Sequence, residues 1–181
     1  IADGKYEISG EEGDVVCFGD TSRVPYDQMA TPRGLTNVDK LAVGGDFACA
    51  LTRGSLVCWG GNPQGQLDLP QLDHVLDVDA SVSGACAINR KGSSTEIICW
   101  GWGNYTGETT PVNSVPVVSN ATQISVGLLH ACAVNDRGVT CWGANSYGQT
   151  ADGSDVDGDG VVNTIDNCPQ DKNPSQADLD Y

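Results

Sequence analysis

Short apolar runs separated by turn residues recur along most of the chain. In one stretch the runs lie at 124–127, 130–134 and 139–143, and a polar turn at 135–138 separates the last two. Runs of this length, bounded by Gly, Asn and Asp, are typical of β-strands joined by tight turns. The pattern therefore predicts a hairpin with an upstream partner strand, and an all-β fold class.

A further apolar run at 115–118 contains Pro116. Proline cannot donate a hydrogen bond to a β-ladder, so a strand that contains it belongs at a sheet edge. We therefore expect each unit to hold three or four antiparallel strands, with this run as an edge strand.

Three short motifs repeat with a nearly constant period. Cys-aromatic-Gly occurs four times, at intervals of 41, 41 and 42 residues, beginning at Cys17, Cys58, Cys99 and Cys141. Ala-Cys-Ala precedes the last three copies, and Asn-x-x-Gly followed by Gln or Glu comes after them. A unit of about 41 residues cannot bury both faces of its sheet alone. The units must therefore stack, as a β-propeller or an open solenoid.

The cysteine spacing predicts a disulfide in each hairpin. Two pairs are nine residues apart with a turn midway, and the middle pair is thirteen apart because residues 91–96 lengthen the turn into a protrusion. Residues opposite each other in a hairpin lie within bonding range. We expect Cys49–Cys58, Cys86–Cys99 and Cys132–Cys141, each stabilising the fold by about 2–3 kcal/mol. Simple packing is the alternative, but it would accept Val or Ile at these positions as readily.

Over residues 12–150 these motifs resemble the repeats of the regulator of chromosome condensation family. The resemblance implies a β-propeller, usually of about seven blades, and the cysteine pair in each repeat resembles the secreted bacterial branch. Residues 1–150 hold only three to four repeats, so we expect a partial β-propeller. An open arc exposes strand edges, so either a longer chain or another subunit would complete the ring.

Charge and cysteine usage narrow the function and the compartment. The net charge of −15 repels phosphate, which argues against nucleic-acid binding and against the nuclear exchange-factor role known in the family. Eight cysteines without a Cys-x-x-Cys pair favour disulfides outside the cytosol. No run reaches the roughly 18 apolar residues of a membrane span. We expect a secreted, extracellular or cell-surface protein. Because the sequence begins at Ile1, we also expect that a leader or a larger upstream piece has been removed.

The composition changes at residue 151, and 151–181 carries eight Asp and one Lys. From Asp155 onward, oxygen donors stand at the positions of an EF-hand-type calcium loop, with Gly160 at the sharp turn. The expected Ca²⁺ ligands, with Val161 acting through its carbonyl, are Asp155, Asp157, Asp159, Val161, Asn163 and Asp166. A solvated acidic linker is the alternative.

Residues 155–181 also resemble the thrombospondin type 3 repeat, in which carboxylates surround calcium ions in place of an apolar core. The resemblance implies that Asp178 and Asp180 help to hold a second ion and that 151–181 forms a separate calcium-binding segment. Cys17 and Cys168 have no counterpart at the repeat spacing. They could bond each other, although two incomplete modules explain both more simply.

Catalysis has little support in this sequence. His74 and His130 have no partner at a catalytic spacing, and we expect a structural role for His130. The tryptophans at 59, 100 and 142 recur once per repeat, which favours packing between blades. Trp102 lies outside that period and, with Tyr105, is a candidate partner contact.

The leading hypothesis is a non-enzymatic extracellular interaction module whose differing loops, at 63–72, 91–96 and 102–110, bind a protein or a surface. The calcium segment would act as a stiff spacer. A structural subunit of an extracellular filament, sheath or surface layer is an alternative, and a secreted protein inhibitor is another. Asn104 and Asn120 begin N-glycosylation sequons, which matter only in a host that modifies them.

Overall fold

The computed structural model describes residues 15–18, 30–101, 115–145 and 149–150. These residues form nine β-strands in three antiparallel three-stranded sheets, each built in chain order. The strands are β1 (Val38–Val43), β2 (Phe47–Thr52), β3 (Ser55–Gly60), β4 (Val75–Ala80), β5 (Gly84–Lys91), β6 (Ser94–Gly101), β7 (Gln123–Val126), β8 (His130–Asn135) and β9 (Gly138–Gly143). We call the sheets blade 1 (β1–β3), blade 2 (β4–β6) and blade 3 (β7–β9). The all-β prediction is confirmed.

Two details differ from the sequence predictions. Residues 115–118 form no strand; instead Val115 and Val118 pack against the core between blades 2 and 3. The four extra residues of the middle hairpin do not lengthen its turn, because they extend β5 and β6 to eight residues each and leave a two-residue turn at 92–93. The hairpin projects by about two residues per strand, roughly 7 Å.

Each blade carries one disulfide between its second and third strands. In every case the two cysteines are direct cross-strand partners. The Cα–Cα distance is 4.0 Å in each of the three pairs, Cys49–Cys58, Cys86–Cys99 and Cys132–Cys141. Since all three bonds lie within a blade, each covalently fixes its own hairpin and none ties neighbouring blades together.

The blades stack through one repeated arrangement of apolar side chains. The disulfide side of blade 1, including Phe47 and Cys49, packs on Ala85, Ala87 and Trp100 of blade 2. The disulfide side of blade 2 packs in the same way on the equivalent side chains of blade 3, Ala131, Ala133 and Trp142. The Ala-x-Ala pattern therefore leaves room for the neighbouring blade, and the repeated Trp fills the space beside it.

The first strands of neighbouring blades lie side by side. Asp77 on β4 accepts hydrogen bonds from Lys40 Nζ of blade 1 at 2.6 Å and from the Ile124 main-chain N–H of blade 3 at 2.9 Å. Asp79 accepts the Val126 N–H at 2.7 Å. Two carboxylates of the middle blade thus hold the first strands of all three blades in register.

Candidate functional site

The antiparallel order of the strands gives the arc two opposite faces made of loops. The turn face consists of the connections between first and second strands, 44–46, 81–83 and 127–129. The hairpin face consists of the turns between second and third strands, 53–54, 92–93 and 136–137. Both faces are surfaces that a rigid β scaffold presents to solvent, so both are candidate binding sites.

The three connections of the turn face share one backbone conformation. In each, the N–H of the first residue donates at 2.8 Å to the carbonyl three residues later: Gly44 to Phe47, Ser81 to Gly84 and Gly127 to His130. In blades 1 and 3 a ring covers the glycine, since a Cβ at Gly127 would lie 2.3 Å from the His130 ring. In blade 2 the order is reversed: the first residue of the connection is Ser81, and the glycine, Gly84, comes fourth.

Hydrogen bonds also join neighbouring connections of the turn face. Gly45 N–H donates to the Val82 carbonyl at 3.1 Å, and the Ser81 hydroxyl donates to the Leu128 carbonyl at 3.5 Å. The first bond links blade 1 to blade 2 and the second links blade 2 to blade 3. These hydrogen bonds therefore join the three connections of the turn face into one continuous surface.

The Asn-x-x-Gly-Gln motif of blade 1 lies beside the turn face, and its side chains hold the loop that contains it in place. Gln66 is 1% exposed; its Oε1 accepts the Gln64 N–H at 2.8 Å and its Nε2 donates to Asp46 at 3.1 Å. Asn62 Oδ1 accepts the Leu67 N–H at 2.8 Å. Asn145 repeats that bond in blade 3 by accepting the Thr150 N–H at 3.0 Å. The motif folds the loop after the third strand against the turn face.

The Trp-Gly motif connects that loop to the next blade. Trp100 Nε1 donates to the Gln66 main-chain carbonyl at 2.9 Å, and both residues are buried. Gly101 follows with φ +88°, where a Cβ would lie 2.5 Å from the Ser83 carbonyl oxygen. Only glycine fits this backbone without displacing its neighbour. The two motifs thus form one contact between blades 1 and 2.

The turn face exposes apolar and acidic side chains together. Val82 and Leu128 stand on neighbouring connections and are 55% and 60% exposed. Asp46 lies in the first connection and Asp68 lies in the adjoining 62–69 loop. None of the six Lys and Arg residues that the structure describes belongs to these connections or to that loop. An apolar surface with an acidic border is suited to a partner that offers apolar and basic side chains.

The hairpin face has the opposite distribution of basic groups. It carries four exposed basic side chains, each within or next to a β-hairpin turn: Arg53, Arg90, Lys91 and Arg137. Acidic groups accompany them; Asp39 accepts the Arg53 N–H at 2.9 Å, and Glu96 accepts the Asn89 amide at 3.0 Å. Because charges of both signs alternate here, this face has no single electrostatic preference.

The residues singled out from the sequence fall into two groups. The tryptophans at 59, 100 and 142 are buried in the three cores beside the blades, as packing residues. His130 packs its ring over Gly127, and among the described residues no three His, Cys, Asp or Glu form a metal-binding group. The candidate contacts Trp102 and Tyr105, the loop 102–110 and the whole segment 151–181, with every predicted calcium ligand and Cys168, lie outside the described residues.

Two elements of this arrangement were missed from the sequence. Asp77 and Asp79 alternate with apolar residues on β4 and so look like ordinary solvent-facing positions, although they accept main-chain hydrogen bonds from blade 3. Val82 and Leu128 stand at equivalent places in two repeats, three residues before the Ala of Ala-Cys-Ala. An alignment of the repeats on their cysteines would have revealed that shared apolar position.

A comparison with protein-family models finds two matching segments. Residues 38–66 and 121–149 match the regulator of chromosome condensation (RCC1) repeat. The first contains blade 1 with its Asn-x-x-Gly-Gln loop, and the second contains blade 3. Curated proteins provide no match to the chain.

Solved structures with the same architecture include two receptor ectodomains. The WD40 ectodomain of the Arabidopsis thaliana receptor kinase ACR4 has a TM-score of 0.51 and 22% identity, and the match covers 71% of this chain and 43% of that one. The ectodomain of the Physcomitrella patens receptor kinase CR4 has a TM-score of 0.52 and 21% identity, with 71% and 33% covered. The yeast RCC1 protein, solved bound to Kap60, has a TM-score of 0.43 and 21% identity, with 64% and 34% covered.

The likeness to the two ectodomains shows a propeller-like fold for the described blades. The chain spans less than half the length of each ectodomain that it resembles. In the part of the chain that the structure describes, no helix has the length and apolar character of a membrane span.

Proposed function

We propose that the chain is a non-enzymatic extracellular or cell-surface interaction module, in which disulfide-linked propeller blades present the turn face to a protein partner. The observation that carries the proposal is the pair of exposed apolar residues, Val82 and Leu128, on connections joined by hydrogen bonds between blades. Exposed apolar side chains held on a rigid scaffold favour protein binding because little conformational entropy is lost on association.

The three disulfides support a location outside the cytosol. Three cystines in a chain of 181 residues are typical of proteins outside a reducing cytosol. The likeness to two receptor ectodomains is consistent with such a location. The secreted bacterial branch of the family stays part of this proposal, on the strength of the cysteine pair in each repeat.

The segment 151–181 is proposed to be a calcium-dependent spacer after a propeller domain at 1–150. Its support is the donor set, because carboxylates at alternating positions with Gly160 at the turn match the requirements of Ca²⁺. Calorimetric titration of the protein with CaCl₂ tests this directly. Heat of binding that disappears in the Asp155→Asn, Asp157→Asn variant supports the spacer, whereas an unchanged isotherm in that variant rejects these ligands.

The turn face is tested by comparative capture from the extracellular fraction of the source. The wild-type protein is immobilised beside the Val82→Lys, Leu128→Lys variant and a Val139→Lys control, since Val139 is equally exposed but lies on β9 near the hairpin face. We expect a protein that binds the wild type and the control and is lost with the turn-face variant. Equal capture by all three would exclude the turn face as the binding surface.

A structural subunit of an extracellular assembly is the second candidate function. It is favoured by the exposure of Leu41 and Val43 on β1, which lie on the side of blade 1 that faces away from blade 2. Particles or filaments that grow with protein concentration in light scattering would support it. A constant mass of about 18.9 kDa across a hundredfold range of concentration would reject self-assembly.

A further inference from the structure

Blades 1 and 3 enter their first strands through equivalent asparagines. Asn37 lies four residues before Leu41 and Asn120 four residues before Ile124, and both of these strand residues pair with the last Ala of Ala-Cys-Ala in their own blade. Both asparagines are exposed, and both have left-handed backbone angles, with φ of +54° and +56°. Asparagine is among the few residues other than glycine that adopt this conformation readily. The turn alone therefore accounts for an asparagine at each position.

The turn does not account for Thr122, which completes an Asn-x-Thr sequon in blade 3. The equivalent residue of blade 1 is Asp39, which accepts the Arg53 N–H at 2.9 Å. The Thr122 N–H already donates to the Val134 carbonyl at 2.8 Å, and its hydroxyl adds only a longer bond of 3.3 Å to the same oxygen. Thr122 is exposed, so water readily replaces that second bond. The hydroxyl is therefore dispensable for the fold.

Asn120 lies on the hairpin face, beside the hairpin turn of blade 3. The Asn135 side-chain amide donates to the Ser119 carbonyl at 3.1 Å, and the Asn135 side-chain oxygen accepts the Arg137 N–H at 2.9 Å. One side chain therefore joins the loop that contains Asn120 to the turn at 136–137. The turn face lies at the opposite ends of the same strands. A group attached to Asn120 would thus leave the turn face open.

We propose that Asn120 carries an N-linked oligosaccharide that covers the blade 3 end of the hairpin face. Asn-x-Thr on an exposed turn is the acceptor that oligosaccharide transfer requires, and the attached sugar is bulky. The proposal rests on the extracellular location proposed above, because proteins meet the transfer machinery on the secretory route. The glycan blocks protein binding at one end of the blades and leaves the turn face for the partner.

The attachment is a substitution at the anomeric carbon of a lipid-linked oligosaccharide. The Asn120 Nδ2 atom forms a bond to that carbon while the bond between the carbon and the lipid pyrophosphate breaks. The electron pair of the broken bond leaves with the pyrophosphate, and the amide gives up one proton to a base of the transferase. The step needs no oxidant or reductant.

Mass mapping of the protein isolated from its source, with free thiols blocked, tests the site. Enzymatic release of N-glycans in water enriched in heavy oxygen converts a glycosylated asparagine into a labelled aspartate. We expect the label at Asn120. The disulfides are mapped in the same digest. An unlabelled Asn120 with three intact disulfides overturns the glycan alone, whereas an unlabelled Asn120 with free thiols overturns the extracellular location as well.

Two variants of Thr122 separate glycosylation from a structural role of its hydroxyl. In a eukaryotic host that secretes the protein, Thr122→Ala should remove the glycan and Thr122→Ser should retain it. Both variants, once deglycosylated, should unfold within about 2 °C of the deglycosylated wild type, because the hydroxyl contributes little to the fold. A glycan at Asn120 in the Thr122→Ala variant, or none in the Thr122→Ser variant, would overturn the assignment.

Limited proteolysis tests which surface the glycan covers. Trypsin should cleave after Arg137 about threefold more slowly in the glycosylated protein than in the Thr122→Ala variant, because the carbohydrate adds bulk beside that turn. Cleavage after Arg53, in the hairpin turn of blade 1, is the internal control and should proceed at one rate in both proteins. Equal rates after Arg137 would overturn the covering of the hairpin face.

Discussion

The Asp77 carboxylate of β4 accepts the main-chain N–H of Ile124, 47 residues further along the chain, at 2.9 Å. The same side chain accepts its own neighbour's N–H, from Val78, at 3.0 Å and the Lys40 ammonium at 2.6 Å. Asp77 is only 8% exposed. One buried carboxylate therefore links three blades that share no interblade disulfide within the described residues.

Asp77→Ala should lower the free energy of unfolding by about 3 kcal/mol, because it leaves a buried N–H and a Lys without their acceptor. Lys40→Met should cost about 1 kcal/mol or less, since the Lys40 side chain is 37% exposed and water replaces much of its interaction. Urea denaturation of the two variants measures both losses in the free energy of unfolding. Equal losses would mean that the ion pair, and not the main-chain hydrogen bonding, holds the first strands together.

Gly127→Ser should destabilise the protein by about 2 kcal/mol, because the new Cβ meets the His130 ring. Adding His130→Gly should recover part of that loss, since the double variant reproduces the Ser81 and Gly84 pair of blade 2. Thermal unfolding of the two single variants and the double variant measures the coupling. Strictly additive losses would show that the two positions do not compete for the same space.

Mild reduction should open Cys132–Cys141 before the other two disulfides. Both of its cysteines are partly exposed, whereas Cys49 and Cys86 are fully buried beneath the next blade. Timed dithiothreitol treatment followed by alkylation and mass mapping checks the order. Simultaneous loss of all three bonds would indicate that reduction requires global unfolding.

Cys17 is the free cysteine among the described residues, and its burial raises the pKa of the thiol above its usual value. Because alkylation requires the thiolate, the folded protein should react with iodoacetamide more slowly than the urea-unfolded protein at pH 8, and the difference should shrink as the pH rises through the raised pKa. The rate at Cys17 from pH 7 to 10 tests this. A folded-state rate equal to the unfolded one at pH 8 would contradict the burial of this thiol.

The repeat period and the cysteine spacing were sufficient to predict the three hairpins and their disulfides, but not the short turn of the middle hairpin. Because cross-strand pairing is local, Cys49 and Cys58 with a turn midway leave little freedom in how the hairpin closes. The structure of the run at 115–118 was harder to predict, because its apolar residues pack in the core beside blade 3 without joining a sheet. Apolar pattern alone does not distinguish a strand from a loop that fills a core.

The interblade contacts could not be predicted because they depend on three-dimensional stacking. Asp77 and Ile124 are far apart in sequence, and nothing local marks an aspartate on a strand as an acceptor for another blade's main chain. The exposure of Val82 and Leu128 likewise follows from where the connections end, which only the folded arc defines. Strand pairing depends on residues within one repeat, whereas the exposed binding surfaces depend on how neighbouring repeats stack.

The most direct test of an extracellular, blade-by-blade disulfide architecture is non-reducing peptide mapping of the protein isolated from its source with free thiols blocked at lysis. We predict three linked peptides, joining Cys49 to Cys58, Cys86 to Cys99 and Cys132 to Cys141. Recovery of these six cysteines as blocked free thiols would place the protein in a reducing compartment and contradict the proposed module. Links between different blades would contradict the arrangement of the blades themselves.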